Sequence, residues 1–249
     1  YPLRAQALRW QVNQTDALIV MSDHVAHAAE ELYGYPQNRI FKIPHGRFDF
    51  GTTERSARKF PHERSFRFLF LGRIAAYKGL PLLFDAYRML INQGQHVSLT
   101  LAGSGDLGTL ESQFRALPMV EIANEWLSDD AIAAHLSQAD ALVLPYSEAS
   151  QSGVAASAFA AGLPVIATPV GGLTEQIEHG VTGLVAEAIS GHALAKTMRD
   201  LISDPACYET LSRNALDHAM TELDWSQIAC TLSNALNHIK ALPKRRETK

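Results

Sequence analysis

Residues 67–73 are Arg-Phe-Leu-Phe-Leu-Gly-Arg, and this stretch decides the fold class. An unbroken apolar run of this kind is typical of a strand buried on both faces of a parallel sheet. The run ends at Gly72, and an amphipathic helix is predicted over Leu80–Asn92, with its leucines on one apolar stripe. A strand, a short loop and an amphipathic helix in this order predict one unit of an α/β domain.

The same alternation continues along most of the chain. A second helix is predicted over Asp129–Gln138 with Ser128 as its N-cap, and another begins at Pro205. Alternation of this kind implies right-handed strand–helix–strand units. The pattern therefore predicts an α/β fold, a doubly wound parallel sheet of Rossmann-like type, followed by C-terminal helices. The other predicted strands are Ala17–Met21, Ile40–Ile43, Val97–Ala102, Ala141–Pro145 and Pro164–Ala167.

The composition limits the class of protein. The chain has 249 residues, of which 47% are hydrophobic and 19% are charged, and its formal net charge is −4. It is too apolar to be disordered, and it is not basic enough to bind nucleic acid through a general positive surface. No apolar run is long enough to span a bilayer. Two cysteines, Cys207 and Cys230, argue against a disulfide framework and for a reducing, cytoplasmic location.

A polar stretch without periodicity divides the chain. We expect a linker over residues 51–64, between a first segment, residues 1–50, and a main α/β domain over residues 65–222. Residues 223–249 comprise a last helix, beginning at Trp225, and a basic tail. The chain starts at Tyr1 rather than Met and enters helical sequence at once, so we expect it to be a piece of a longer protein.

Two cations follow the first strong strand. Gly72 lets a ligand approach the backbone at the carboxyl end of the strand, where open α/β sheets bind their ligands. Arg73 and Lys78 lie beside the start of the next helix, whose free N–H groups also favour anions. This combination indicates a diphosphate site. On spacing alone, two solvated surface cations in an ordinary loop explain it equally well.

A second unusual run follows the strand Ala141–Pro145. It is Glu-Ala-Ser-Gln-Ser-Gly-Val, residues 148–154, and an alanine-rich helix comes next. The N–H groups of Ser152 and Gly153 at the start of that helix are suited to phosphate oxygens, and the Glu148 carboxylate to hydroxyl groups. A tight turn with close packing explains the alanines but not this run.

A glycine-rich loop follows the strand Val97–Ala102. Residues 103–108 are Gly-Ser-Gly-Asp-Leu-Gly, and Glu121 and Glu125 lie roughly at the spacing of a ribose-binding acid. In a dinucleotide fold this motif belongs in the first strand–helix unit, whereas here it follows the second strong strand of the main domain. We therefore favour a loop beside a nucleotide site, formed by Gly103, Ser104 and Gly105, over an NAD or FAD site.

The histidines give weaker signals. His24 and His27 have helical spacing, but no nearby acid or cysteine completes a metal set. His45 follows a strand and could line a cleft. The chain contains no Asp-x-Asp motif, so we predict no metal site.

Taken in order, these motifs resemble the GT-B glycosyltransferases of family 4, also called group 1, a large retaining family. The resemblance covers about residues 66–187 and is specific as an ordered set. Outside it, residues 15–22 and 43–46 look like the last part of the family's N-terminal domain. The segments that carry the resemblance are residues 68–73, 78–79, 101–105, 139–145, 148–154, 162–168, 171–175 and 180–185.

The resemblance implies roles for these residues. Arg73 and Lys78 would neutralise the diphosphate of a nucleotide-sugar in place of a metal ion and stabilise the leaving group. Glu148 would correspond to the first acid of the family's E-x7-E motif and contact the donor sugar. Catalytic roles therefore fall to these three residues. The loop of Gly103, Ser104 and Gly105 would lie near the base, and the phosphates would meet Gly72 and the backbone amides of Ser152, Gly153 and Val154.

The sequence departs from the family pattern in two respects. The second acid of E-x7-E is missing, because Ser157 or Ala156 stands at its place, depending on the direction of counting. Most of the N-terminal acceptor domain is also absent, so residues 1–50 would be its remnant. The last helix, with Trp225, resembles the segment that crosses back onto that domain.

The resemblance predicts a retaining glycosyltransferase that uses a UDP- or GDP-sugar without a metal. The acceptor would be a glycan, a lipid-linked or a small molecule, held by the missing domain, in a cytoplasmic protein for which peripheral membrane contact stays open. We expect no nucleic acid partner and no turnover by this piece alone. A non-catalytic module that binds nucleotide or a partner is an alternative, and an epimerase using His45 and Glu148 is a weaker one.

Overall fold

The computed structural model describes residues 2–50 and 56–245, and side chains from Gln6 onward. Residues 51–55 of the predicted linker and residues 246–249 of the predicted tail lie outside this range. The helices are α1 Pro2–Asn13, α2 Asp23–Tyr33, α3 Leu80–Asn92, α4 Leu110–Arg115, α5 Asp129–Gln138, α6 Gly153–Ala160, α7 Leu173–Gln176, α8 Gly191–Ser203, α9 Pro205–Thr221 and α10 Trp225–Ala241. The strands are β1 Leu18–Val20, β2 Ile40–Lys42, β3 Phe66–Leu71, β4 Val97–Ala102, β5 Val120–Ala123, β6 Ala141–Leu144, β7 Val165–Ala167 and β8 Gly183–Val185.

Six strands form one parallel sheet in the order β5-β4-β3-β6-β7-β8. The central strand β3 pairs on both sides, with Phe68 opposite Leu99 of β4 and opposite Ala141 of β6. The chain moves outward in one direction from β3 to β5 and in the other from β6 to β8. The order therefore reverses between β3 and β6, and in sheets of this type ligands bind beside the carboxyl ends of the strands at that point.

Helices flank the sheet, and the core lies between the layers. Helix α3 packs against α8, and α6 packs against α9. Phe68, Phe70, Leu99 and Leu142 are 0 to 1% exposed, as expected for strands covered on both faces. The doubly wound α/β fold predicted from the sequence is confirmed.

The first segment carries a separate two-stranded parallel sheet, β1 beside β2. This segment packs against α10, where Ile43 after β2 joins Ile228 and Ala235 in a small second core. The Trp225 indole N–H also donates to the Arg47 carbonyl at 2.7 Å. The last helix thus packs against the first segment.

A buried carboxylate fixes the start of the central strands. Asp140, just before β6, is 3% exposed and accepts two hydrogen bonds from the Arg64 guanidinium, at 2.6 and 2.7 Å. It also accepts the backbone N–H of Arg67 in β3 at 2.8 Å. A buried charge is tolerated when it is paired and hydrogen-bonded in this way.

Within the described parts of the chain, no helix has the length and apolar character needed to cross a bilayer.

Candidate functional site

Two loops meet at the point where the strand order reverses. The loop after β3 contains Gly72, Arg73 and a short 3-10 helix, Ala76–Lys78, and the loop after β6 leads to α6. The loops are joined by a hydrogen bond from the backbone N–H of Ser147 to the Tyr77 carbonyl, at 2.9 Å. The structure therefore brings the two predicted groups of site residues to the same edge of the sheet.

A cleft of about 740 Å³ opens between these loops, and we call it the Lys78 cleft. Lys78 and Glu148 both line it, so the predicted cation and carboxylate share one cavity. The side chain of Glu148 is exposed. The described residues that line the cleft are His24, Tyr77, Lys78, Tyr146–Gln151, Pro169–Gly171 and Ile189.

The ammonium group of Lys78 rests on aromatic rings. Its Nζ lies 3.7 Å from the ring centroid of Tyr146 and 5.2 Å from that of Tyr77. Among the residues described, no carboxylate pairs with it. Burial therefore lowers the pKa of Lys78 to about 8. An anion that entered the cleft would supply the missing counter-charge.

Two hydroxyl groups near this site are buried without a partner in the described chain. Tyr146 Oη and Ser152 Oγ have no hydrogen-bond partner in the part of the chain that the structure describes. Burial raises the pKa of Tyr146 to about 12. The Ser152 hydroxyl acts in the opposite direction, although the two oxygens are not hydrogen-bonded to each other. Tyr146 therefore offers Lys78 a neutral ring near physiological pH.

Arg73 lines a second cavity of about 370 Å³, which we call the Arg73 pocket. Its walls are largely apolar, and its polar side chains are Arg73, Ser104, Glu125 and Ser157. The indole of Trp126, at its rim, is 89% exposed. The described lining residues are Phe48, Phe50, Leu71–Arg73, Gly103, Ser104, Glu125–Leu127, Ile132, Gly153, Val154 and Ser157.

The start of α6 differs in one detail from the expectation. The N–H of Ser152 donates to Gln176 Oε1 at 2.9 Å, so this amide is already engaged. Ser152 itself is 3% exposed and is not among the described residues that line either cavity. Gly153 and Val154, the first residues of α6, line the Arg73 pocket, and their N–H groups make no hydrogen bond within the described chain. They are the amides that could meet an anion.

The glycine-rich loop serves close packing as well as the pocket. A side chain on Gly103 would place its Cβ 2.0 Å from the Gly72 carbonyl oxygen, so only glycine lets the loops after β3 and β4 approach. Gly105 lies outside the Arg73 pocket and pairs with Ile74 in a parallel bridge. Of the two acids considered for ribose, Glu125 lines the pocket, whereas Glu121 lies in a separate groove on the sheet.

The histidines are separated by the fold. His45 lines a third cavity of about 200 Å³, whereas Glu148 lines the Lys78 cleft. His24, considered in the sequence only as a partner of His27, lines the Lys78 cleft instead. Sequence reasoning missed this placement because more than fifty residues separate His24 from the other lining residues.

Known proteins are similar in sequence to this chain. A profile of the family described as "Glycosyl transferases group 1" matches residues 65–204, more than half of the chain. Glycogen synthase from Mycobacterium tuberculosis is 29% identical over 224 residues, which cover 88% of this chain and 53% of that enzyme. D-inositol 3-phosphate glycosyltransferase from Pseudarthrobacter chlorophenolicus is 33% identical over 172 residues, 66% of this chain and 41% of that protein. The chain thus spans about half the length of such relatives.

Solved structures show the same fold. Sucrose-phosphate synthase from Thermosynechococcus elongatus superposes with a TM-score of 0.79 at 22% identity, covering 97% of this chain and 62% of that one. HepE from Anabaena, in complex with UDP and glucose, gives 0.80 at 20% identity, covering 95% of this chain and 67% of that one. With the profile match, these superpositions establish that the chain belongs to the group 1 glycosyl transferases of GT-B fold.

Proposed function

We propose that this chain is the donor-binding part of a retaining, family 4 glycosyltransferase. The complete enzyme would transfer a sugar from a nucleoside diphosphate-sugar to a hydroxyl acceptor. The observation that carries the proposal is the pair of cavities at the carboxyl ends of β3 and β6. Arg73 lines one cavity and Lys78 lines the other, and both cations come from the loop after β3. A donor has a matching division into a nucleoside and a charged diphosphate with its sugar.

The Arg73 pocket suits the nucleoside. Phe48 and Trp126 supply aromatic surface for a base, and Glu125 supplies a carboxylate for ribose hydroxyls. Arg73 and the amides of Gly153 and Val154 then lie where the first phosphate would leave the pocket. The structural relatives support this assignment, since HepE, a protein of the same fold, forms a complex with UDP and glucose.

The Lys78 cleft suits the second phosphate and the sugar. Lys78 would bind the phosphate that becomes the leaving group, and its charge would stabilise the negative charge that develops as the glycosidic bond breaks. Glu148, in the same cleft, would accept hydrogen bonds from hydroxyls of the transferred sugar. No step in this scheme uses a metal ion.

For the acceptor, we propose a glycan, a lipid-linked molecule or a small molecule with a free hydroxyl group. The reaction would belong to polysaccharide or glycoconjugate synthesis, at a cytoplasmic location that includes the membrane surface. These proposals rest on the family resemblance.

Two measurements test the function. Calorimetric titration of the chain with UDP, GDP and ADP should show binding of at least one of them. The complete protein should then transfer or hydrolyse the sugar of the matching donor. Binding without turnover of any donor would favour a non-catalytic nucleotide-binding module, and absence of nucleotide binding would contradict the donor site.

Glu125→Gln is expected to reduce the preference for ribose over deoxyribose. Ser157, at the place of the family's second acid, is 3% exposed, and its hydroxyl donates to the Gly153 carbonyl at 3.1 Å. Among the described residues that line the pocket, the exposed carboxylate is that of Glu125. A carboxylate accepts from a ribose hydroxyl more strongly than an amide does. We expect the affinity ratio of UDP to 2′-deoxy-UDP to fall about fivefold.

Glu121→Gln is the matched control, because Glu121 is exposed on β5 but lies in the separate groove. It should leave the ratio unchanged. Equal ratios in wild type and Glu125→Gln would assign ribose recognition elsewhere.

A further inference from the structure

A carboxylate of the main domain holds the start of α2. The two oxygens of Glu175 accept the backbone N–H groups of Asp23 and His24, at 2.6 and 2.7 Å. The Ser22 hydroxyl also donates to the Ser150 carbonyl at 3.0 Å. Carboxylates bind strongly at helix N-termini, because the unpaired N–H groups and the helix dipole both favour negative charge. The first segment is thus fastened to the loop that precedes α6.

This contact aims one side chain at the Lys78 cleft. His24 lines the cleft, and the other described lining residues all come from residues 77–189. Its ring lies against the Gly171 backbone, since a Cβ on Gly171 would be 3.4 Å from His24 Cδ2. The imidazole makes no hydrogen bond within the described chain, so its N–H is available to a ligand.

The neighbours of His24 are engaged elsewhere. The Asp23 carboxylate pairs with Lys42 at 2.5 Å, and the backbone amides at the start of the helix are taken by Glu175. His27 is exposed one turn further along α2 and does not line the cleft. Of the groups at this end of α2, the His24 side chain is therefore the one presented to the cleft.

We propose that His24 binds the terminal phosphate of a nucleoside diphosphate in the Lys78 cleft, and that Glu175 is a positioning residue that aims it. The proposal deepens the proposed function and rests on it. His24 donates a hydrogen bond to the phosphate from the first segment, and Lys78 contributes its charge from the main domain. A ligand without the terminal phosphate does not reach His24.

The first test compares diphosphates with monophosphates. UDP, GDP and ADP, and their monophosphates, are titrated calorimetrically into wild type, His24→Ala, His24→Asn and His27→Ala. We expect His24→Ala to weaken diphosphate binding about tenfold, the effect of one hydrogen bond to a charged group, and to leave monophosphate binding unchanged. Asn should retain part of the affinity, because its amide can still donate, and His27→Ala should match wild type.

The outcomes separate this inference from the function on which it rests. Diphosphate affinity unchanged in His24→Ala, or an equal loss for mono- and diphosphates, would overturn the inference and leave the donor site intact. Failure of wild type to bind any of the three diphosphates would overturn both. Thermal unfolding of each variant shows whether a loss reflects misfolding, and His24→Asn then gives the decisive comparison.

The second test isolates the role of Glu175. Glu175→Gln keeps the size of the side chain but removes the charge and one acceptor, so His24 should lose its orientation and diphosphate affinity should fall about threefold. In the double variant with His24→Ala, Glu175→Gln should cause no further loss, because its effect passes through His24. Losses that add would show that Glu175 acts independently and would overturn its positioning role.

Discussion

Gly79→Ala is expected to destabilise the protein by about 3–5 kcal/mol, since backbone strain and a steric overlap act together. Gly79 joins the short 3-10 helix that carries Lys78 to α3, and its φ of +66° is unfavourable for any residue with a Cβ. A Cβ there would lie 1.8 Å from the Pro145 carbonyl oxygen, an impossible contact between two stretches of backbone. The loops after β3 and β6 would have to separate, and these loops form the Lys78 cleft.

Gly34→Ala is the matched control. Gly34 ends α2 with a φ of +62°, but a Cβ there would meet nothing within 4 Å. Gly34→Ala should lower the free energy of unfolding by about 1–2 kcal/mol, the cost of placing a residue with a Cβ in the left-handed conformation. Urea unfolding of both variants, followed by circular dichroism, gives the difference, which measures the contact with Pro145. Equal losses would mean that the two loops do not approach as closely as the structure has them.

Much of the fold was predictable because buried parallel strands leave a strong pattern. The apolar runs that became β3, β4 and β6 lie at the centre of the sheet, where both faces are covered, and their predicted bounds agree with the structure to within a residue. Strands β5 and β8, at the edges of the sheet, were not predicted from the apolar pattern, although the family resemblance implies a strand end near Glu121–Asn124. Val120–Ala123 includes the exposed Glu121, and Gly183–Val185 has three residues, so neither shows a long apolar run.

The sequence predicted which loops form the site, but it did not predict the side-chain contacts within the site. Arg73 and Glu148 were each placed in a loop after a predicted strand, and the carboxyl ends of parallel strands share one edge of the sheet. Local sequence contains no sign that Lys78 rests on Tyr146, or that Glu175 holds α2 from 151 residues away. Such contacts depend on how the layers pack, which apolar periodicity does not encode.

Lys78→Ala is expected to weaken nucleoside diphosphate binding about 10- to 100-fold, the loss typical of a charge-assisted contact. The ammonium has aromatic rings beside it and forms no ion pair with a carboxylate of the described residues, so burial holds its pKa at about 8. A bound diphosphate supplies the counter-charge and raises that pKa again. Binding is then coupled to proton uptake, because the liganded lysine holds a proton that part of the free protein has lost.

Diphosphate affinity should fall as the pH rises through the pKa of Lys78. Below about pH 7 the free lysine is already charged, and its contribution to affinity is complete. Above its pKa of about 8 the affinity should fall, approaching tenfold per pH unit, because each binding event must capture a proton. Tyr146, whose pKa is about 12, stays neutral in this range. The other ionisable side chains among the described residues that line the cleft are Tyr77, Glu148 and His24.

Calorimetry between about pH 7 and pH 9, in buffers of different ionisation enthalpy, measures both affinity and proton uptake. Lys78→Ala should remove the uptake together with the affinity, which a loss of packing alone would not do. Lys59→Ala is the control, because Lys59 is an exposed lysine paired with Glu209 outside both cavities, and it should bind as wild type does. A wild-type affinity that stays constant up to pH 9 would mean that the terminal phosphate does not meet Lys78. Arg73 and the first amides of α6 would then have to hold the diphosphate without it, within the Arg73 pocket.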